Sequence, residues 1–545
     1  MILRLLILLL LAGAAAAQPP IITEILVTAA GAPPLAPQTP PPFTGAVVDG
    51  PLLTVDPSVL KQTVLGLGTS ITESSAYVLA HLEPARRREV IARLFGPDGA
   101  DFPLARTHLG ACDFSVEGKY SYADVPAPGD DPLAAFTLAP DSAGFDPAAH
   151  PGLRDPAYDL LPMLREAHAA GGAPLRVVGS AWTAPPWMKD IGTWSIPGDA
   201  TNGWVGTGGA LLPEHRATYA DYLVRAVDAF AAAGAPLWAL TPVNEPHGNG
   251  GYWESMHMTP GGQKTFVQDL LGPRLRRAGH DMAIYVYDQN RDGLEDWADA
   301  ILGDPRSRGD VTGIAVHWYS GTEKVFEDAF ERVHARFPEF GILHTEGCID
   351  NLGVAAPGGI RDPDGYQEEG WFMNDAFWWG PNATDWAYTA EWAGPGAADH
   401  PAYVPVHRYA RDIIVGLDHW LEGWIDWNAV LDRQGGPNHV GNFCGAPIMI
   451  DTATGQVYET PVFHVLLQLS RSIRPGDRAV ATRLDRADLG ADDLHACAVR
   501  APDGRLAVQV LNTTARPVMY GLRLGDRTAR IEIPANAVQT VRVTP

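Results

Sequence analysis

Cysteine is scarce: the chain of 545 residues holds four, Cys112, Cys348, Cys444 and Cys497. None forms a CxxC pair, so a thiolate zinc site has no support, and four sulfurs in so long a chain do not make a disulfide framework. They read as mostly unbridged, buried apolar fillers. Basic residues are also short, with 40 Lys+Arg against 64 Asp+Glu and a formal charge of −24. Such a surface repels phosphate backbones and anionic headgroups, which argues against nucleic acid as a partner and against a basic membrane patch. Past the N-terminus no apolar run approaches the ~18 residues of a membrane span. There is no HExxH or HxH motif, so no catalytic metal is expected at His317 or His344 and no cofactor is called for. No GxGxxG opens a helix after the first strand, which weighs against a doubly wound dinucleotide-binding sheet.

What is present is ample core. Apolar residues make up 46% and charged residues 19%, which excludes global disorder. The 16 Trp and 16 Tyr supply flat faces suited to packing and also to sugar rings. The N-terminus has Arg4, an apolar run Leu5–Leu11 and Ala14–Ala17. That pattern describes a secretory signal peptide, residues 1–17, cleaved after Ala17, with export to the periplasm or beyond. Residues 18–44, with Pro40-Pro41-Pro42, read as a Pro/Ala-rich extended leader.

Eight short apolar runs then recur: Thr63–Gly68, Ala105–Gly110, Leu175–Ser180, Leu237–Val243, Met282–Tyr287, Gly313–Tyr319, Gly341–Thr345 and Gly423–Asn428. Helical patterns lie between most of them, among them Pro84–Leu94, Tyr158–Ala170, Glu214–Ala233, Gln263–Ala278 and Val325–Phe337. Eight βα units predict an α/β fold, a (β/α)8 barrel of the TIM type. After about Gly476 the texture changes to short alternating strands with a hairpin turn at Asp503-Gly504. This predicts a small antiparallel β domain, joined by strands near Val47–Leu60.

Chemistry in such a barrel is expected at the C-terminal strand ends. Those ends carry Arg106, Trp182, Asn244-Glu245-Pro246, His317-Trp318-Tyr319, Thr345-Glu346 and Trp427-Asn428, with Asp113-Phe114-Ser115 in the second loop. Glu245 and Glu346 therefore face one mouth. Paired carboxyls among aromatics suit glycoside cleavage, in which one carboxyl protonates the leaving oxygen and the other attacks or directs water. Taken singly the residues have duller readings. A lone glutamate at a strand end is usually an ion-pair partner, Trp182 could cap the core, and Arg106 could be a structural cation.

Together they carry a resemblance. The motifs are Leu65-Gly66-Leu67-Gly68 with Thr72-Glu73, Cys112-Asp113-Phe114-Ser115, Tyr120-Ser121-Tyr122-Ala123-Asp124, and Trp182-Thr183-Ala184-Pro185-Pro186-Trp187-Met188-Lys189. Asn244-Glu245-Pro246, Ala315-Val316-His317-Trp318-Tyr319, Glu346-Gly347-Cys348, Asp426-Trp427-Asn428 and Gly436-Pro437-Asn438 with Asn442-Phe443 follow in order. From about Val64 onward the chain resembles glycoside hydrolase family 30, in its glucosylceramidase-like branch. The resemblance implies a barrel carrying a β-sandwich built from both chain ends, here 45–62 and 466–545 around a barrel of 63–465. It implies retention of anomeric configuration, with Glu245 as acid/base and Glu346 as nucleophile. Asp113, Trp182, Asn244, Trp427 and Asn442 would hold the terminal glucose, and Arg106, His317 and Tyr319 would orient the glutamates. The implied activity is that of a β-glucosidase or glucosylceramidase on a β-glucoside, glycolipid or β-glucan. An endo-β-1,6-glucanase of the same family and a non-catalytic glycan binder are the competing readings. The segment Asp350–Val404 is long and holds Tyr366, Trp371, Trp378, Trp379, Trp386, Tyr388, Trp392 and Tyr403. It is expected to form a rim or lid over the aglycone side, the alternative being a self-packed excursion on the outside of the barrel.

Overall fold

The structure, a computed structural model, describes residues 19–45, 49–172, 174–198, 206–247, 253–321, 324–352, 373, 375–380 and 403–545. The signal-peptide stretch 1–17 and Tyr366, Trp371, Trp386, Tyr388 and Trp392 lie outside the described residues.

Three strands precede the barrel: β1 (Ile21–Ala29), β2 (Ala36–Pro37) and β3 (Leu52–Thr63). The reading of 18–44 as an extended leader is therefore corrected. Ile21-Ile22-Thr23-Glu24-Ile25-Leu26-Val27-Thr28 is rich in β-branched residues, and that propensity outweighs the flanking prolines. β1 buries Ile22, Ile25, Val27 and Ala29 in the sandwich core.

The barrel strands are β4 (Gly66–Ile71), β5 (Leu104–Leu109), β6 (Arg176–Ala181), β7 (Ala239–Thr241), β8 (Ala283–Asn290), β9 (Gly313–His317), β10 (Gly341–Glu346) and, after the short β11 (Ile349–Leu352), β12 (Leu421–Asp426). They close in the order β10-β12-β4-β5-β6-β7-β8-β9, all parallel. Each of the eight expected runs supplies one barrel strand. Gly68 allows a close approach of two strands, since a Cβ there would meet the Leu104 carbonyl oxygen at 2.1 Å.

The barrel interior is layered by the two-residue period of a strand. One buried apolar cluster takes Leu104, Val178, Ala239, Tyr285, Ala315, Leu343 and Ile425 from seven strands. Two residues further along most of these strands come Arg106, Ser180, Thr241, His317, Thr345 and Trp427. The polar floor of the site is thus the next layer above the apolar plug.

Four short strands follow: β13 (Val430–Asp432), β14 (Phe443–Gly445), β15 (Ile448–Asp451) and β16 (Gln456–Glu459). β14 pairs antiparallel with β11. The sandwich is completed by β17 (Arg478–Asp485), β18 (Leu494–Arg500), β19 (Leu506–Asn512), β20 (Val518–Leu524), β21 (Arg527–Ile533) and β22 (Ala537–Thr544). Its nine strands run β2-β1-β22-β19-β18-β17-β3-β20-β21, and the ladder folds over, because β1 and β21 bury side chains in one core. The expected boundary between 465 and 466 falls inside a single helix, Pro461–Ser470. That helix joins the two units: Gln468 accepts from Thr28 Oγ1 at 2.6 Å and donates to the Val538 carbonyl at 3.2 Å. Among the described residues no helix is long and apolar enough to cross a membrane.

Candidate active site

Arg106 is the floor of the site and is fully buried. Its Nε donates to Ser180 Oγ (3.0 Å), Nη2 donates to Asn244 Oδ1 (2.7 Å) and Asp288 Oδ2 (2.9 Å), and Nη1 donates to Glu346 Oε2. The guanidinium carbon also lies 4.9 Å from the Trp182 ring and 5.3 Å from the Trp427 ring. Those two rings stack at 5.2 Å and 24°, and Phe114 meets Trp427 edge-on at 5.8 Å. One cation therefore fixes a glutamate, an asparagine amide and an aromatic wall together.

Asp288, at the end of β8, is a residue that sequence reasoning missed. Strand alternation from Tyr285 points Tyr287 inward and Asp288 outward. The structure reverses this: the register shifts between Tyr287 and Gln289, and Tyr287 and Asp288 both take positive φ, 77° and 59°. A bulge of this kind re-aims a side chain beside a site, and nothing in the local sequence announces it. Tyr287 now packs on Trp297 at 5.0 Å, while Asp288 enters the barrel. There it accepts from Arg106, Thr241 Oγ1 (2.6 Å) and Thr345 Oγ1 (2.7 Å). Its main-chain oxygen takes the Glu245 N–H at 2.9 Å, and Glu245 itself sits at φ 49°.

His317 bridges the next pair. Nε2 lies 3.0 Å from Asp288 Oδ1 and Nδ1 lies 3.3 Å from Glu245 Oε1. Asp288 only accepts, and Glu245 presents its Oε1 as an acceptor, so both ring nitrogens carry protons. Burial works against that charge, but Glu346, Asp288 and Glu245 outweigh it and raise the imidazole to about 9. For Asp288, burial likewise opposes the charge, yet Arg106 and His317 hold the carboxyl far below the ordinary range. Glu346 moves the other way. Burial pushes it up, His317 and Arg106 draw it down, and the neighbouring Glu245 and Asp288 charges leave the balance upward.

Single atoms of Glu245, His317 and Glu346 lie within 4.8 Å of one another. The spacing would admit a cation only with the ligating nitrogen of His317 deprotonated. The Glu245 side chain is 13% exposed and that of Glu346 8%, so Glu245 is the one nearer solvent.

The remaining candidates line the same mouth. Asp113 accepts on Oδ2 from Asn438 (3.1 Å) and Asn442 (3.4 Å). Burial and then Glu346 raise it to about 7. Tyr319 meets His317 edge-on at 6.2 Å, and its hydroxyl contacts Cys348 Sγ at 3.4 Å. All ten residues singled out from the sequence are thus in one constellation. Ser180, Thr241, Thr345, His439 and Glu254 join it, the first three recognisable only once the strand period is followed to its end. Trp378 does not fit the expected rim. It is buried, and its ring touches the place a Gly445 Cβ would occupy, so it packs against β14.

Comparison with known proteins agrees with this fold. The Mus musculus lysosomal acid glucosylceramidase is 28% identical over 476 residues, which span 86% of this chain and 78% of the relative. Putative glucosylceramidase 4 of Caenorhabditis elegans is 27% identical, over 83% and 75% of the two chains. An endo-1,6-beta-D-glucanase of Trichoderma harzianum is 23% identical, over 88% and 84%. Among solved structures SrfJ of Salmonella typhimurium superposes with a TM-score of 0.75 at 23% identity, over 95% and 99%, which speaks for the fold. The "Glycosyl hydrolase family 30 TIM-barrel domain" matches residues 64–354 and 395–473, and the family 30 "beta sandwich domain" matches 481–541. With more than half of its length matched by the barrel domain alone, the chain belongs to glycosyl hydrolase family 30.

Proposed function

We propose that the protein is an exported, retaining β-glycosidase that hydrolyses β-glucosides in the manner of a β-glucosidase or glucosylceramidase. The observation that carries this is the approach of the Glu245 and Glu346 carboxyl oxygens to within 4.8 Å. Retaining enzymes place the two carboxyls ~5–5.5 Å apart, whereas inverting ones leave ~6.5–9.5 Å for a water.

The roles follow from what each glutamate touches. Arg106 donates to Glu346, which favours the carboxylate a nucleophile needs. A Glu346 oxygen attacks the anomeric carbon as the bond to the aglycone oxygen breaks, giving a glycosyl ester. Glu245 gives its proton to that leaving oxygen. Being the more exposed, Glu245 then takes a proton from an incoming water. The water oxygen bonds to the anomeric carbon, Glu346 departs as carboxylate, and two inversions leave the configuration unchanged. Asp113, Asn244 and Asn442 present polar atoms for sugar hydroxyls, and the Trp182–Trp427 stack gives a ring face a flat wall. His317 and Arg106 hold the two carboxyls at their spacing.

The glucosylceramidase relatives favour a glycolipid or small β-glucoside. The Trichoderma relative supports the second reading, endo action on β-1,6-glucan. Incubation with an aryl β-glucoside, glucosylceramide and β-1,6-glucan, with NMR of the first-formed sugar, tests both. Glucose released first as the β-anomer is expected. α-Glucose would overturn retention, and oligosaccharides from the glucan would move the assignment to endo action. Export is tested by N-terminal sequencing of the native protein, which should begin at Gln18.

A further inference from the structure

The wall behind Asp113 is built from a charge pair that the reaction scheme above does not use. His439 lies between the site-lining Asn438 and Asn442, and its main-chain N–H donates to the Asp113 carbonyl at 3.1 Å. Its ring Nδ1 lies 3.2 Å from the Ser115 carbonyl oxygen, and Nε2 lies 3.4 Å from Oε2 of Glu254, a fully buried carboxyl. A carbonyl and a carboxylate both only accept. A neutral imidazole has one N–H and would turn a lone pair toward one of them; the imidazolium presents an N–H to each, at hydrogen-bond distance for Ser115 and at ion-pair distance for Glu254.

Asp113 is tied to this segment through the His439 main-chain N–H and through the side chains of Asn438 and Asn442. Its Oδ2 takes the amides of Asn438 and Asn442, and among the described residues Oδ1 takes no hydrogen bond, so Oδ1 is the atom left for a substrate hydroxyl. We propose that His439, held charged by Glu254, is a positioning residue that keeps Asp113 a carboxylate for a sugar hydroxyl. This rests on the glycosidase reading. An ionised acceptor makes roughly twice as strong a hydrogen bond as a neutral one, so the form Asp113 takes decides how tightly the sugar is held.

The surrounding charges make the outcome sensitive to this one contact. Burial, Glu346 and Glu254 push Asp113 up to about 7, while His439 and Asn438 draw it down. Burial works to lower His439, and Glu254 and Asp113 raise it above the ordinary imidazole value. The Glu254 charge also acts on Lys189, whose Nζ donates to the carbonyls of Trp194, Gly208 and Ser255, and on His108, which burial keeps neutral with a value of about 4. With Asp113 raised to about 7, a charge nearby bears on whether it is a carboxylate near neutral pH.

The test reads Asp113 directly. Protein carrying carboxyl-13C aspartate is titrated by NMR, with Asp113→Asn assigning the resonance. His439→Gln is expected to raise the Asp113 midpoint by one pH unit or more. The acid limb of kcat/KM on an aryl β-glucoside should move with it, mostly through KM. His439→Lys, which restores a charge without the ring, should return the midpoint toward wild type. An unchanged midpoint in His439→Gln, or a lysine variant shifted as far as the glutamine one, overturns the proposal. If the glutamine variant does not fold, the wild-type ring decides. Its 15N titration should lie above the ordinary ~6.5 and fall in Glu254→Gln; an ordinary midpoint overturns the role. A wild type inert on the glucoside refutes the glycosidase reading, while the carboxyl titration still decides the coupling.

Discussion

Asp288 Oδ1 and His317 Nε2 share a hydrogen bond of 3.0 Å with both side chains wholly out of solvent. On its other oxygen Asp288 holds Arg106, so one carboxylate balances two cations that reach separately to Glu245 and Glu346. The bond ties the two glutamates to a common anchor beneath the pocket. Asp288→Ala strands both cations in the barrel, and breaking a buried pair from one side costs about 3–5 kcal/mol. A urea-melt loss of that size is expected, along with a fall in activity beyond what the stability loss explains. A variant within 1 kcal/mol of wild type would remove Asp288 from this role.

Glu245→Gln and Glu346→Gln should each stay folded and each lose most turnover on natural substrate. They should differ on an activated aryl glucoside, whose leaving group needs little protonation. There Glu245→Gln keeps appreciable release of the phenol and Glu346→Gln does not. General acid–base help is worth ~10²–10⁴-fold, and the loss at Glu346 should exceed that. Azide should restore Glu245→Ala as the β-glycosyl azide and Glu346→Ala as the α-azide. The reverse pattern would exchange the two roles.

His317 makes stability pH-dependent on the alkaline side. Its folded value is raised to about 9 from an ordinary ~6.5. The contribution is therefore complete below about pH 6.5 and is lost as pH rises through about 9. At ~1.4 kcal/mol per unit it amounts to about 3 kcal/mol. Urea midpoints measured from pH 6 to 10 should decline across that window, and His317→Gln should flatten the decline. Equal slopes in the two proteins would place the charge elsewhere.

Cys348, two residues past Glu346, and Cys444, two past Asn442, bring their sulfurs to 3.2 Å. Export would expose the pair to disulfide-forming catalysts. Peptide mapping of exported protein, alkylated without reduction, is expected to find Cys348 joined to Cys444 and Cys112 and Cys497 alkylated as thiols only after unfolding, since both are buried. Cytosolic expression should give four thiols. Separate Cys348 and Cys444 peptides from exported protein would count against the bridge.

Trp378 and Trp379 separate packing from recognition. Trp378 is 1% exposed, whereas Trp379 is half-buried with its ring 6.0 Å from His407. Trp378→Ala should cost about 3–5 kcal/mol, the usual range for deleting a buried indole. Trp379→Ala should cost less. Comparable melting curves for the two variants would show that burial does not distinguish them.

The barrel was legible because each strand is a short apolar run ending in polar residues, and the period of two carries Leu104 to Arg106 and Ala315 to His317 without ambiguity. The glutamates were legible because each stands where a strand run ends, although Glu346 is out of phase with Leu343 and Thr345 and the register shifts between His344 and Glu346. Asp288 was not, since a backbone bulge, which is a property of how β8 meets its neighbours, reverses the alternation there. His439 and Glu254 were not legible either: they meet across 185 positions of chain, and neither stands at a strand end. β1 was hidden by its neighbours, because proline on both sides disguised a segment whose own residues favour a strand.

The pairing of β1 with β22 sets a waiting time. Thr23 hydroxyl to Arg542 carbonyl spans 519 positions, so the first strand made has its partner made last. At ~5–20 residues per second of synthesis the wait is roughly half a minute to two minutes. Throughout it the β1 edge lies open, with unpaired main-chain groups and the apolar side chains of Ile22, Ile25 and Val27 uncovered. The closing seam of the sandwich is thus also its most sticky surface while it is unfinished. Expression yield should therefore depend on whatever shields residues 21–29 until the C-terminus arrives.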